Sequence, residues 1–164
     1  MILSEALRDV KSIYFDTSPF IYYIEEHPLY IEKMDKIIWL IKSIPIKGVC
    51  SFITLTEVLP KPIEMENQKL IQAYRQIIFK SEEFICKPVD KVIAIMAAEL
   101  RAAYKIKTPD AIHLATAIRD NCDAFLTNDV RLKQVNNIRV LVLEELELDT
   151  PENGKSFTPI PPST

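Results

Sequence analysis

Short apolar runs alternate along this chain with longer amphipathic stretches, and no other feature limits its possible folds as much. Five runs have strand length: Ser12 to Phe15, Gly48 to Phe52, Glu83 to Cys86, Asp123 to Leu126 and Ile138 to Leu143. Between them the period becomes helical. Residues 28–42 carry Ile31, Met34, Ile37, Ile38 and Ile41 on one face, and residues 88–105 carry Val89, Val92, Ile93, Met96, Ala97 and Leu100. Ser18 and Pro19 read as the N-cap and first residue of a helix after the first strand. A short helix from Thr54 is stopped by Pro60-Lys61-Pro62, and another spans Glu66 to Lys80. Thr108 reads as the cap of a helix running to Asp120, and Asp129 to Gln134 as a helical turn. Strands separated by helices in this order imply an α/β fold, its sheet mainly parallel and covered by helices on both faces.

With 164 residues, 48% hydrophobic and 26% charged, the chain suits one globular domain. Residues 1–146 form that domain in this reading. Residues 147–164, acidic and containing Pro151, Pro159, Pro161 and Pro162, read as a poorly ordered tail. Two glycines leave no room for a Gly-rich phosphate loop. Cys50, Cys86 and Cys122 form no CxxC pair and read as reduced, buried thiols. The N-terminus is charged too early for a signal peptide, and no apolar run is long enough to span a membrane, so a cytoplasmic location is expected. The net charge of −3 excludes a generic basic nucleic-acid coater. That charge is unevenly spread: residues 144–164 hold five acids and one lysine, leaving 19 bases against 18 acids in residues 1–143.

Ligands of parallel α/β sheets gather outside the carboxyl ends of the strands. Asp16 ends the first strand, Glu57 follows the second, Asp129 follows Phe125-Leu126, and Asp110 opens a helix. Each has a local alternative. Asp110 would complement a helix dipole, Asp129 would cap a turn, and Glu57 would be a solvated helix residue. Together they are harder to explain locally. Two carboxylates about 4 Å apart repel by about 4 kcal/mol at an effective dielectric near 20. Oxygen-only donors of this kind select a hard divalent ion, Mg²⁺ or Mn²⁺, and no His/Cys cluster competes for zinc. The chemistry that such an ion serves is phosphodiester hydrolysis.

Four segments carry a family resemblance: Ile13-Tyr14-Phe15-Asp16-Thr17-Ser18, Ser51-Phe52-Ile53-Thr54-Leu55-Thr56-Glu57, Thr108-Pro109-Asp110-Ala111-Ile112-His113-Leu114-Ala115-Thr116-Ala117 and Phe125-Leu126-Thr127-Asn128-Asp129. Their acids are 41, 53 and 19 residues apart. In this order the chain resembles PIN-domain nucleases, and most of all the VapC-type ribonuclease toxins of toxin–antitoxin pairs. The resemblance covers residues 12–143. It implies a five-stranded parallel sheet, with Asp16, Glu57, Asp110 and Asp129 as the acidic quartet around Mg²⁺ or Mn²⁺. Thr17 and Thr127 match supporting hydroxyls, and Asn128 is a candidate for assisting the metal shell. His113, three residues after Asp110, is a conceivable general acid, although the family's chemistry needs no histidine. The Pro60-Lys61-Pro62 break departs from the family, whose helix after the Glu usually continues.

The resemblance implies a metal-dependent endoribonuclease silenced by a small antitoxin protein, and a homodimer. Lys105 and Lys107 precede the Asp110 segment and Arg131 and Lys133 follow Asp129, which makes them candidates for an RNA backbone. Alternatives are a PIN nuclease of RNA processing or DNA metabolism, and an inactive PIN-like binding module. A phosphotransfer protein fits poorly, because Ser18 stands where a dehalogenase-type phosphatase needs its second Asp.

Overall fold

In a computed structural model, which describes residues 1–149, the first strand shows how the alternation becomes a sheet. Strand β1 (Ser12–Phe15) sends Ile13 and Phe15 into one apolar core and Tyr14 into another, all three fully buried. A strand enclosed on both faces must be apolar throughout, as parallel strands are. β2 (Lys47–Ser51), β3 (Phe84–Lys87), β4 (Ala124–Thr127) and β5 (Arg139–Val142) complete a five-stranded sheet in the order β3-β2-β1-β4-β5, every neighbouring pair parallel.

Helices α1 (Leu3–Ala6), α2 (Thr17–Ile24), α3 (Ile31–Ser43), α4 (Ile53–Val58), α5 (Pro60–Glu64) and α6 (Gln68–Phe79) lie in the first half of the chain. Leu3, Phe20, Met34, Ile37, Ile41, Tyr74 and Ile78 from this group pack on the Ile13/Phe15 face. The other face is covered by α7 (Lys91–Tyr104) and α8 (Thr108–Arg119) through Ile93, Ala97, Leu100, Ala111, Leu114 and Ala115. There Tyr14 stacks on Phe125 with ring centroids 5.2 Å apart and planes 3° from parallel. Helices therefore cover both faces, as the alternation requires.

Several helix starts differ from the sequence expectation by one to three residues, and at three of them the cap or breaker itself is read differently. Asp16, not Ser18, caps α2: its backbone is extended (φ −67°, ψ 172°), and its side chain accepts from the Thr17 N–H. Pro19 consequently falls in the third position of the first turn, where its missing N–H again costs no helical bond. Lys107, not Thr108, is the extended residue before α8, which puts Thr108 and Pro109 in the first two helical positions. Pro60 ends α4 but also opens α5 as its first residue, because its fixed φ suits that place. The break is a joint between two short helices.

Gly48 is required by the β2–β3 approach. A Cβ there would lie 2.5 Å from the Glu83 carbonyl oxygen and 2.8 Å from the Phe84 ring. At the other end of the chain, Glu147 bridges Ile2 and Leu146 is buried. The rest of the expected tail, residues 150–164, lies outside the described residues. Among the described residues, no helix is long and apolar enough to cross a membrane.

Candidate active site

The strand order decides where the acids meet. From β1 the chain turns to β2 and β3 on one side of the sheet, and then crosses to β4 and β5 on the other. The carboxyl ends of β1 and β4, which pair directly, form the crevice where a doubly wound sheet binds ligands. Asp16 leaves β1 there, Thr127 ends β4 with Asp129 two residues on, and Asp110 stands in the first turn of the helix that leads into β4. Glu57 reaches the same place from α4, after β2.

Asp16 is the fixed member of the set. Its residue is 8% exposed. Its Oδ1 accepts from the Thr17 N–H at 2.8 Å and its Oδ2 from the Thr127 hydroxyl at 2.7 Å. The Thr127 oxygen also accepts the Asp129 N–H at 3.1 Å, so one buried hydroxyl sets the spacing of two acids.

Glu57 is held through Oε1. The Thr17 hydroxyl donates to it at 2.9 Å and His113 Nε2 lies 2.6 Å away. Partial burial pushes the Glu57 carboxyl up, but the hydrogen bond and attraction of His113, with the bond from Thr17, outweigh it, and the net shift is downward. The His113 ring is fully buried, with Nδ1 2.8 Å from the Tyr14 hydroxyl and Nε2 3.7 Å from Asp16 Oδ1. Burial drives the Tyr14 phenol well above its usual range, so it keeps its proton.

Asp110 reports the convergence electrostatically. Its carboxyl is raised from the ordinary value, first by burial and then by the charges of Asp16, Asp129 and Glu57, with His113 acting in the opposite sense. Asp129 is held low, chiefly by the Arg131 side chain, with further help from the Arg131 N–H and charge and from Lys107. Arg131 Nε donates to Asp129 Oδ1 at 2.8 Å and its Nη2 pairs with Oδ2. The Asp129 carboxylate also caps the following 3₁₀ turn (Val130–Gln134) through the Arg131 N–H.

All four sequence-predicted acids thus come to one edge. The supporting residues divide. Thr17 and Thr127 bond directly to the acids, whereas Asn128 donates to the Tyr22 hydroxyl at 3.3 Å and accepts the Glu144 N–H at 2.9 Å, tying the β4 exit to α2 and the C-terminal turn. Of the basic candidates, Lys107 and Arg131 act on Asp129. Lys133 pairs with Glu145 at 2.7 Å, and Lys105 ends α7 in a left-handed conformation (φ 56°). The sequence reading missed the Tyr14–His113 contact and the Arg131–Asp129 pair. The i, i+2 spacing across a capped turn was the available signal for the second, and 99 residues separate the partners of the first.

Among the described residues, no group of three or more His, Cys, Asp or Glu side chains is closed tightly enough to hold an ion as it stands. The donor chemistry nonetheless fits a hard divalent cation. Four carboxylates come to one edge, and one of them, Asp110, is raised by burial and by the charges of the other three. A separate cavity of about 410 Å³, lined by Tyr23, Ile24, Ile38, Lys42, Ile77 and Phe84 among others, contains none of these acids.

A model of the PIN domain matches residues 13–138, and the chain belongs to the PIN-domain family. Solved structures of similar fold include DNA-bound VapBC from Salmonella typhimurium, with TM-score 0.63 and 16% identity over 80% of this chain and 98% of that one. VapBC2 from Rickettsia felis bound to a promoter DNA fragment gives TM-score 0.61 and 18% identity, over 80% and 98%. FitAcB from Neisseria gonorrhoeae gives 0.57 and 21%, over 82% and 99%. At these identities the likeness is one of fold. No curated protein matches this chain by sequence.

Proposed function

We propose that this protein is a divalent-metal-dependent endoribonuclease acting in the cytoplasm as the toxin of a toxin–antitoxin pair. The observation that carries this reading is the gathering of Asp16, Glu57, Asp110 and Asp129 at the β1/β4 crevice, where burial and the charges of the other three raise the Asp110 carboxyl. These four side chains would hold Mg²⁺ or Mn²⁺, which when bound supplies an activated water and stabilises charge on a phosphoryl oxygen. The protein's own part is positional. Thr127 and the Thr17 N–H orient Asp16, the Thr17 hydroxyl orients Glu57, and Lys107 and Arg131 bring positive charge to the rim that an RNA backbone would approach.

Similar solved structures bear the names of toxin–antitoxin proteins, which supports an antitoxin as partner; the working unit in this reading is a homodimer. An acidic edge that already pairs with Arg131 would also accept a cationic side chain from such a partner. The test is cleavage of single-stranded RNA with Mg²⁺, with Mn²⁺ and with EDTA, by wild type, Asp16→Asn and Asp110→Asn. Cleavage that depends on metal and is lost in both variants is expected. Equal activity in all three proteins would overturn the assignment.

A further inference from the structure

The acids are held from the crevice, but Glu57 is also held from inside the protein. His113 projects from α8 three residues after Asp110, and its fully enclosed ring connects three other elements: Tyr14 on β1, Thr17 on α2 and Glu57 on α4. Its partners set the proton positions. An ionised Glu57 can only accept, so the 2.6 Å contact places an N–H on Nε2. The other ring nitrogen, Nδ1, is hydrogen-bonded to the Tyr14 hydroxyl at 2.8 Å. The phenol is itself locked, because Tyr14 is fully buried and stacked on Phe125. Core packing is thus transmitted to a carboxylate that is 30% exposed.

Both bonds to Glu57 fall on Oε1, from His113 and from Thr17. Oε2 accepts none among the described residues and is the oxygen left to a cation. A free glutamate side chain must give up much of its rotamer freedom to bind an ion. Here part of that ordering is done in advance, and the donor is a fully buried histidine rather than a solvent-facing group.

We propose that Tyr14 and His113 are positioning residues, a buried Tyr14–His113–Glu57 hydrogen-bonded chain that presents Glu57 to a divalent cation and sets the affinity of the site. The proposal rests on the metal-site reading above. It differs from a general-acid role for His113, since both ring nitrogens are engaged within the protein.

The test is calorimetric titration of the full chain with Mn²⁺, using wild type, Tyr14→Phe, His113→Ala, His113→Gln and Glu57→Gln, with the melting temperature of each metal-free protein measured alongside. Loss of an outer hydrogen-bond partner typically weakens metal binding about 10- to 100-fold. Tyr14→Phe and His113→Ala should weaken Mn²⁺ binding to about that extent. His113→Gln, whose amide nitrogen can reach the place of Nε2, should recover most of it. Tyr14→Phe changes one atom, so it decides the matter if His113→Ala does not fold. Unchanged Mn²⁺ affinity in Tyr14→Phe and His113→Ala, with Glu57→Gln weakened, leaves the metal site standing and overturns the chain alone. The same holds if His113→Gln is no better than His113→Ala. If wild type binds no Mn²⁺, or Glu57→Gln binds it as wild type does, the metal-site reading fails and takes this proposal with it.

Discussion

Asp110→Asn should make the metal-free protein more stable while abolishing its activity. The Asp110 carboxyl is half-buried and sits in the field of Asp16, Asp129 and Glu57. Exposed charge pairs contribute about 0.2–1 kcal/mol each after screening, and Asp129 is partly neutralised by Arg131, so the repulsion removed is of order 1–2 kcal/mol. Against this, a carboxylate in the first turn of α8 gains about 0.3–1 kcal/mol from the helix dipole. The net gain for asparagine is therefore about 1 kcal/mol, or a rise of about 2–4 °C in melting temperature for a domain of this size. The pH dependence has a definite sign. The folded state holds the Asp110 proton more tightly than the unfolded state, so stability falls as pH rises from the ordinary aspartate value through the raised one. The variant lacks that loss. The two proteins should melt together near pH 3.5 and separate progressively until Asp110 is fully ionised, when melts are run with EDTA at low salt. Added Mg²⁺ should then raise the wild-type melting temperature and leave the variant nearly unmoved. A variant less stable than wild type at pH 7, or a gap that does not change with pH, would refute the convergence of the four acids.

Two further substitutions probe the frame of the site. Thr127→Val removes the donor to the buried Asp16 carboxylate; hydrogen bonds to charged groups contribute about 1.5–3 kcal/mol, so urea unfolding should show a loss in that range. RNA cleavage should fall through kcat more than through KM, and an unchanged kcat would mean that Thr127 does not set the Asp16 geometry. Gly48→Ala forces a methyl against the Glu83 carbonyl and the Phe84 ring, and overpacking of this kind costs about 1–3 kcal/mol. An unchanged denaturation midpoint would show that β2 and β3 can separate without cost.

The local features of the sequence were enough for the order of the five strands and the longer helices, though not for α1 and α5, and for the acids at three strand exits and one helix start. Period, proline and apolar run length are properties of neighbouring residues. Asp16, Glu57, Asp110 and Asp129 could therefore be assigned to strand ends or a helix start from their flanking residues alone. Helix starts proved less legible, because a cap is defined by the extended backbone before the first turn. That is why Asp16 and Lys107, rather than Ser18 and Thr108, hold the cap positions of α2 and α8.

What the sequence determined by itself is a chain of short buried strands and covering helices, with a carboxylate at three strand exits and one helix start. Only the tertiary structure decided that β1 and β4 lie side by side, which turns four separated acids into one edge. It also decided that Tyr14 meets His113 from 99 residues away. The physical reason is range. Backbone propensity and hydrophobic period act over a turn or a strand, whereas the distance between two side chains far apart in the chain is set by strand order and by which faces pack against the sheet.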